Sequence, residues 1–212
     1  MNRRSISFPL SRRACLVVAA ALALPWAAHA SETAEAFVRR ITGETLQKVK
    51  ADRTLREGNV NALMKLVDGQ VMPHVNFRRM TALSVGPAWR RATPEQQARL
   101  QEEFKLLLVR TYAGALSQVS DQTVLVRPPR AGQEDSNLVV STEVRGGGGG
   151  EPIRIDYRLE KSGESWQIFD LNVLGVWLVE NYRTQFTQSI NAGGIDALIQ
   201  ALSERNKSAR KT

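Results

Sequence analysis

Residues 153–160 read Ile-Arg-Ile-Asp-Tyr-Arg-Leu-Glu, so that apolar and charged side chains alternate without a break. In a β-strand, successive side chains point to opposite faces of the sheet, and the pattern therefore predicts a strand with one buried face and one solvated face. Antiparallel sheets accommodate such a division, whereas the strands of a doubly wound parallel sheet are buried on both faces. The stretch therefore favours an antiparallel sheet.

Three more segments with strand character surround this one, at residues 123–127, 138–145 and 166–173. Gly163 lies in a short link, 161–165, that suits a tight hairpin. The link at 146–150 is a run of glycines, but Glu151 and Pro152 follow it where a phosphate-binding loop needs a lysine and the start of a helix. We therefore predict a meander of four strands and no nucleotide-binding loop.

Apolar residues at helical spacing precede and follow the predicted sheet. The clearest of the earlier helices has Thr93 and Gln96 as a capping box and runs to about Ser117. After the sheet, a helical stripe is interrupted by a glycine pair at 193–194, and a last short helix is expected at 195–202. The stripe consists of Val176, Val179, Phe186 and Ile190. The pattern predicts an α+β fold in which a four-stranded antiparallel sheet is wrapped by N- and C-terminal helices.

The first 30 residues are typical of a cleaved secretory signal peptide. Four arginines and no acid precede or flank an apolar run at 14–24, and Ala28-His29-Ala30 forms a small-residue cleavage site. The apolar run is shorter than the roughly 20 residues that span a bilayer. We expect a mature domain at 31–204 that carries no Cys, because Cys15 leaves with the leader. The sequence leaves open whether export uses the general or the twin-arginine route.

The formal charge of +8 comes mainly from the two ends of the chain. The whole sequence has 29 Lys plus Arg and 21 Asp plus Glu, but four basic residues lie in the leader and four in the last eight positions, 205–212. The remaining 21 basic residues match the 21 acidic ones. The pI of about 10.1 therefore does not indicate a nucleic-acid-binding face, and 205–212 are expected to form a flexible basic tail.

Few residues of the mature chain have the types that catalysis requires. His74 is the single histidine after residue 30, no Gly-x-Ser-x-Gly motif occurs, and no cluster has the spacing of metal ligands. Asp156 and Asp170, on neighbouring predicted strands, are an acid-pair candidate, but Arg154 and Arg158 lie nearby and favour structural ion pairs. A binding protein is therefore favoured over an enzyme, with no cofactor and no metal expected.

Seven segments, in order along the chain, resemble the MlaC family, also called the toluene-tolerance auxiliary proteins. The resemblance covers most of residues 35–205. The segments are WRRATPEQQ at 89–97, Phe104 with LL at 107–108 and TYA at 111–113, IDYRL at 155–159, WQIFDL at 166–171, GV at 175–176, NYRTQF at 181–186 and GGIDALI at 193–199. The chain departs from the family pattern at Trp177, where many members have Ser, and at Asn76, where Asp is common. The five-glycine loop also looks particular to this sequence.

This resemblance implies a periplasmic protein that encloses a diacyl phospholipid in an apolar cavity between the sheet and the helices. We expect a monomer, because nothing in the sequence resembles a coiled-coil heptad or an obligate apolar interface. It also implies two partners, an inner-membrane ABC transporter with an MCE-domain ring and an outer-membrane lipoprotein complex. Movement of lipid between them would maintain the lipid asymmetry of the outer membrane. Two alternatives stay open: a periplasmic protein-interaction module, and a small-ligand enzyme that uses His74, Asp156 or Asp170.

The candidate lipid-binding residues are the buried positions of the predicted sheet, the long helix and the segment after the last strand. They are Phe104, Leu108, Tyr112, Val140, Ile155, Tyr157, Ile168, Val173, Val176 and Val179. Arg90 and Arg91, near the start of the long helix, are candidates for a phosphate contact. Periodicity identifies a buried face, but it does not distinguish a lipid from other side chains as its neighbour.

Overall fold

The computed structural model describes residues 32–116, 119, 121–128, 138–146 and 151–208. Its five strands form one sheet in the order β1-β2-β3-β4-β5, and every neighbouring pair is antiparallel. The strands are β1 (Thr123–Arg127), β2 (Leu138–Arg145), β3 (Ile153–Ser162), β4 (Ser165–Val173) and β5 (Val176–Trp177). The predicted antiparallel meander is confirmed. The alternating stretch is β3, in the centre of the sheet.

The fifth strand was not predicted, and it changes the position of Val176. Leu174 and Gly175 have φ angles of 53° and 89°, which turn the chain back on itself in two residues. Val176 then pairs with Val173, and Trp177 pairs with Asn172. The prediction that Val176 begins a helical stripe is therefore wrong, because this tight turn extends the sheet before the last helix starts.

The described part of the chain has six α-helices. They are α1 (Ala34–Ala51), α2 (Arg53–Arg56), α3 (Val60–Leu66), α4 (Phe77–Val85), α5 (Pro94–Leu116) and α6 (Leu178–Ser208). Of these, α1, α4 and α6 pack against the sheet. A π-helical turn (Val67–Val71) and a 3-10 turn (Met72–His74) connect α3 to α4, and a second 3-10 turn (Gly86–Arg91) precedes α5. The predicted capping box is present: Gln96 N donates to Thr93 Oγ1 at 3.2 Å, and Thr93 N donates to Gln96 Oε1 at 3.0 Å.

Helix α1 covers the buried face of the sheet. Phe37 and Val38 are fully buried against the inward side chains of the strands, among them Val140, Tyr157 and Leu159. In the sheet, Tyr157 lies opposite Val140 on β2 and opposite Leu171 on β4. Tyr157, Leu159 and the partly buried Ile155 of the alternating stretch therefore belong to this core cluster, as their periodicity predicts, whereas Ile153 at the start of the stretch is 45% exposed.

A second cluster of buried residues lies among α4, α5 and α6, and a third, smaller cluster joins Val49, Leu55, Leu63 and Ala113. Phe104 of α5 is fully buried, and its ring centroid lies 4.9 Å from that of Tyr182 and 5.2 Å from that of Phe186, both edge to face. Phe77 of α4 contacts Phe104 from another side at 5.7 Å. Such aromatic pairs stabilise the helices beyond the apolar area that they bury.

The C-terminal helix differs from the prediction at its end. Its backbone is non-helical at Gly193 and Gly194, which confirms the predicted break, but the second part continues through Ser208. The predicted flexible tail at 205–212 is therefore helical at 205–208, because Asn206 is buried against α5. Residues 209–212 lie outside the described part of the chain, as do the predicted signal peptide at 1–30 and glycines 147–150.

Candidate functional site

An apolar cavity of about 230 Å³ lies where α1, α3 and the π-helical turn meet α4, α5 and β4. Its described wall consists mostly of aliphatic and aromatic side chains. The residues that line it are Thr45, Val49, Leu63, Leu66, Val67, Val71, Met72, Val75, Phe77, Met80, Lys105, Leu108, Val109, Tyr112 and Leu171. The helices thus provide most of the wall, and the sheet contributes Leu171 of β4.

Helical spacing accounts for the way each element faces this cavity. Helix α1 packs its first half on the sheet and presents Thr45 and Val49, four residues apart, beyond the edge of that contact. On α5, Leu108 and Tyr112 have the same spacing and lie one and two turns C-terminal to Phe104 and its aromatic contacts. In each of these two helices, an N-terminal segment therefore packs in the protein core and the segment that follows it lines the cavity.

Polar atoms on the described cavity wall belong to Thr45, Lys105 and Tyr112. Within the described part of the chain, Thr45 Oγ1 is buried without a hydrogen-bond partner. Lys105 Nζ lies 2.6 Å from Asp68 Oδ1, and burial raises the pKa of the Tyr112 hydroxyl. Apart from these three side chains the described wall is apolar, which suits the binding of an apolar ligand.

Two of the ten predicted lipid-binding residues, Leu108 and Tyr112, line this cavity. Four others belong to the core between α1 and the sheet: Val140, Ile155, Tyr157 and Ile168. Phe104 and Val179 are buried in the core of α4, α5 and α6. Val173 is partly buried at the end of β4, and Val176 is 50% exposed.

Sequence reasoning missed the contribution of α1, α3 and the π-helical turn to the wall. A signal was present in the segment between residues 60 and 71, where Leu63, Leu66, Val67 and Val71 recur at helical spacing. Lys105 was also missed. A lysine on a long amphipathic helix is usually solvated, and only the fold shows that its stem runs along an apolar wall.

The acidic candidates for catalysis lie away from the cavity and have structural contacts. Asp170 is fully buried, and its carboxylate accepts hydrogen bonds from Arg158 Nη1 at 2.9 Å and from the backbone N–H groups of Leu171 and Val179 at 2.8 and 3.1 Å. Burial raises the pKa of Asp170. Asp156 accepts a hydrogen bond from Arg154 Nε at 3.0 Å. Both arginines thus form the structural ion pairs that the sequence favoured.

The remaining candidates are also outside the cavity wall. His74 packs edge-on against Phe37, with 5.7 Å between ring centroids, and burial lowers its pKa. Arg90 and Arg91 are exposed in the 3-10 turn before α5. Within the described ranges, no group of three His, Cys, Asp or Glu side chains is placed to hold a metal ion.

No helix in the described part of the chain is long and apolar enough to cross a membrane. The fold and the site together define a class of α+β proteins in which an antiparallel sheet and helices surround an apolar cavity. Residues 39–204 match the family model described as MlaC protein. This chain therefore belongs to the MlaC family.

Two curated relatives and one solved structure are similar to this chain over most of its length. The toluene tolerance protein ttg2D of Pseudomonas putida is 30% identical over 186 residues, which cover 87% of this chain and 85% of the relative. The intermembrane phospholipid transport system binding protein MlaC of Haemophilus influenzae is 20% identical and covers 79% of each chain. The phospholipid-binding protein of Ralstonia solanacearum, solved in complex with a phospholipid, is 43% identical with a TM-score of 0.78, over 84% of this chain and 98% of that one.

Proposed function

We propose that this protein is a periplasmic carrier that binds a diacyl phospholipid and moves it between an inner-membrane ABC transporter and an outer-membrane lipoprotein complex. The observation that carries the proposal is the apolar cavity, in a fold that matches a protein solved with a phospholipid at 43% identity. The leader at 1–30 supports export to the periplasm.

The physical chemistry of lipid transfer explains why such a carrier needs an apolar wall. Each methylene that leaves water for an apolar site contributes about 0.8 kcal/mol, so two acyl chains cannot cross an aqueous compartment unshielded. The aliphatic wall of the cavity provides that shielding. The carrier itself needs no bond-breaking step, and the direction of transport would come from the partner that hydrolyses ATP.

Lipid binding requires this cavity to widen. Its volume of about 230 Å³ lies below the roughly 300–1,000 Å³ of drug-sized ligand sites. The π-helical turn is the part of the wall that we expect to move, because none of its residues is fully buried and exposed polar contacts join it to its neighbours. Gln70 Nε2 donates to Glu44 Oε2 of α1 at 2.7 Å, and Asp68 pairs with Lys105 of α5. Exposed polar contacts of this kind contribute little stability and are readily broken.

The first test is mass spectrometry of an organic extract of the protein. The full chain is expressed in a Gram-negative host, and the exported form is purified from the periplasm without detergent. We expect a diacyl phospholipid in near-stoichiometric amount. A folded protein that contains no lipid, and that takes up none from phosphatidylglycerol and phosphatidylethanolamine vesicles, would refute the carrier function and support an interaction module.

A second measurement addresses transfer rather than binding. The lipid-loaded protein is mixed with acceptor vesicles, and fluorescent phospholipid is followed into them with and without the detergent-solubilised MCE-domain complex. A carrier that works between two complexes is expected to release lipid faster in the presence of its partner. Equal rates in both mixtures would contradict the partner assignment while leaving lipid binding intact.

A further inference from the structure

Lys105 is a cation on the wall of a cavity that is otherwise almost entirely apolar. Its side chain is 23% exposed, and its ammonium contacts Asp68 Oδ1 at 2.6 Å. Asp68 is 52% exposed and lies on the π-helical turn, directly after the cavity-lining Val67. The ion pair therefore lies at the rim of the cavity, with Lys105 on the apolar wall and Asp68 facing solvent.

The ammonium of Lys105 retains capacity for a second acceptor. A lysine ammonium has three N–H donors, and Asp68 takes one of them within the described part of the chain. The aliphatic stem of Lys105 runs along the wall, so its charged end lies where the chains of a bound amphiphile meet the polar part. A phosphodiester at that level has the charge and the oxygen acceptors that an ammonium binds.

We propose that Lys105 binds the phosphate of the lipid whose chains occupy the cavity, and that Asp68 competes with this phosphate for the same ammonium. The inference rests on the proposed function. In the unloaded protein Lys105 pairs with Asp68, and in the loaded protein it pairs with the phosphodiester. A single cation recognises the phosphate that all glycerophospholipids share. This contact does not distinguish between the headgroup alcohols that are esterified to that phosphate.

This assignment predicts opposite effects for the two members of one ion pair. Lys105→Met removes the phosphate contact and keeps an unbranched apolar stem, so phosphatidylglycerol is expected to dissociate about ten-fold faster. Asp68→Asn removes the competing carboxylate, so dissociation is expected to be several-fold slower. A contact that merely held the wall closed would give faster dissociation in both variants, because either change breaks the same bond.

The experiment measures dissociation of fluorescent phosphatidylglycerol and of fluorescent diacylglycerol from exported full-chain protein into acceptor vesicles. Diacylglycerol has the same two chains and no phosphate. Lys105→Met is expected to change the phosphatidylglycerol rate alone, and Lys105→Arg is expected to restore it. Lys65→Met serves as the matched control, since Lys65 is exposed on α3 and is not on the described wall.

The outcomes separate this proposal from the function on which it rests. Equal effects of Lys105→Met on both lipids, or faster dissociation from both ion-pair variants, would overturn the phosphate contact and leave the carrier function standing. Inorganic phosphate is added in a further arm. If it changes the dissociation rates of phosphatidylglycerol and diacylglycerol equally in the wild type and has no effect in Lys105→Met, the site binds free phosphate, and the proposal is overturned. A wild-type protein that binds neither lipid would refute the carrier function itself.

Discussion

Asn206 Nδ2 donates hydrogen bonds to both the backbone oxygen and Oε2 of Glu103, at 2.9 and 2.6 Å. The two residues are 3% and 7% exposed and join the end of α6 to the middle of α5. Arg99 Nη2 contacts the other carboxylate oxygen of Glu103 at 2.7 Å. This buried polar contact keeps helix α6 ordered through the residues that composition alone would assign to a tail.

Asn206→Ala is expected to lower the free energy of unfolding by about 1–3 kcal/mol, because it leaves a buried acceptor of Glu103 without its donor. Chemical denaturation followed by circular dichroism measures the change. Gln188→Ala, at an exposed position of the same helix, is the control and is expected to stay within about 0.5 kcal/mol of the wild type. An equal decrease in the free energy of unfolding in both variants would show that the contact with Glu103 does not stabilise the protein.

The sheet could be predicted because one physical rule determines its pattern. The alternation of apolar and charged residues in β3 indicates the two faces of the sheet directly. The other strands were also located from their own sequences, except β5, because a strand of two residues is too short to show a period. The tail at 205–208 could not be predicted, because its order depends on a partner about 100 residues away in the sequence, Glu103.

The cavity was harder to predict than the core for a related reason. Tyr157 and Leu108 both lie on apolar stripes, but Tyr157 meets α1 and Leu108 meets open space. Periodicity reports that a face avoids water and carries no information on what fills the volume beyond it. The cavity arises where α1, α3, α4, α5 and β4 meet, and that is a property of the packed elements rather than of any one segment.

Leu108→Trp tests the cavity by filling it. The larger ring is expected to occupy part of the 230 Å³ and to raise the melting temperature or leave it unchanged, since cavity filling commonly stabilises a protein by about 0.5–2 kcal/mol. Phospholipid recovered from the purified protein is expected to fall several-fold. Mass spectrometry of the extract and thermal unfolding give the two readouts.

Leu106→Trp is the matched control on the same helix, because Leu106 is partly buried but does not belong to the described cavity wall. It is expected to leave the lipid content close to that of the wild type. A full lipid content in Leu108→Trp, in a protein that remains folded, would place the lipid elsewhere in the molecule.

His74 gives the stability of the protein a dependence on pH. Burial lowers the pKa of His74 below its ordinary value of 6.5, aided by Arg40 and opposed by Glu44 and Glu32. The unfolded chain therefore binds more protons than the folded protein between the lowered pKa and 6.5, and stability falls as the pH decreases through that window. His74→Gln is expected to flatten the curve of unfolding free energy against pH there. An unchanged slope in the variant would assign the effect to other groups.

Asp170 and Asp156 distinguish a structural role from a catalytic one. Asp170→Ala removes the acceptor of three hydrogen bonds, two of them from backbone N–H groups, and leaves Arg158 without its buried partner. We expect a loss of about 3–5 kcal/mol in the free energy of unfolding. Asp156→Ala breaks a pair with the exposed Arg154, and the expected loss is below about 1 kcal/mol.

Both aspartate variants are expected to retain phospholipid as long as they remain folded, because neither side chain lies on the described cavity wall. Lipid content is therefore measured at a temperature well below the melting point of Asp170→Ala. If the protein were an enzyme that used these carboxylates, both variants would lose catalytic activity completely. Asp156→Ala would then lose activity although it is the more stable of the two variants. Loss of bound lipid from a folded Asp156→Ala protein would contradict the purely structural assignment of this carboxylate.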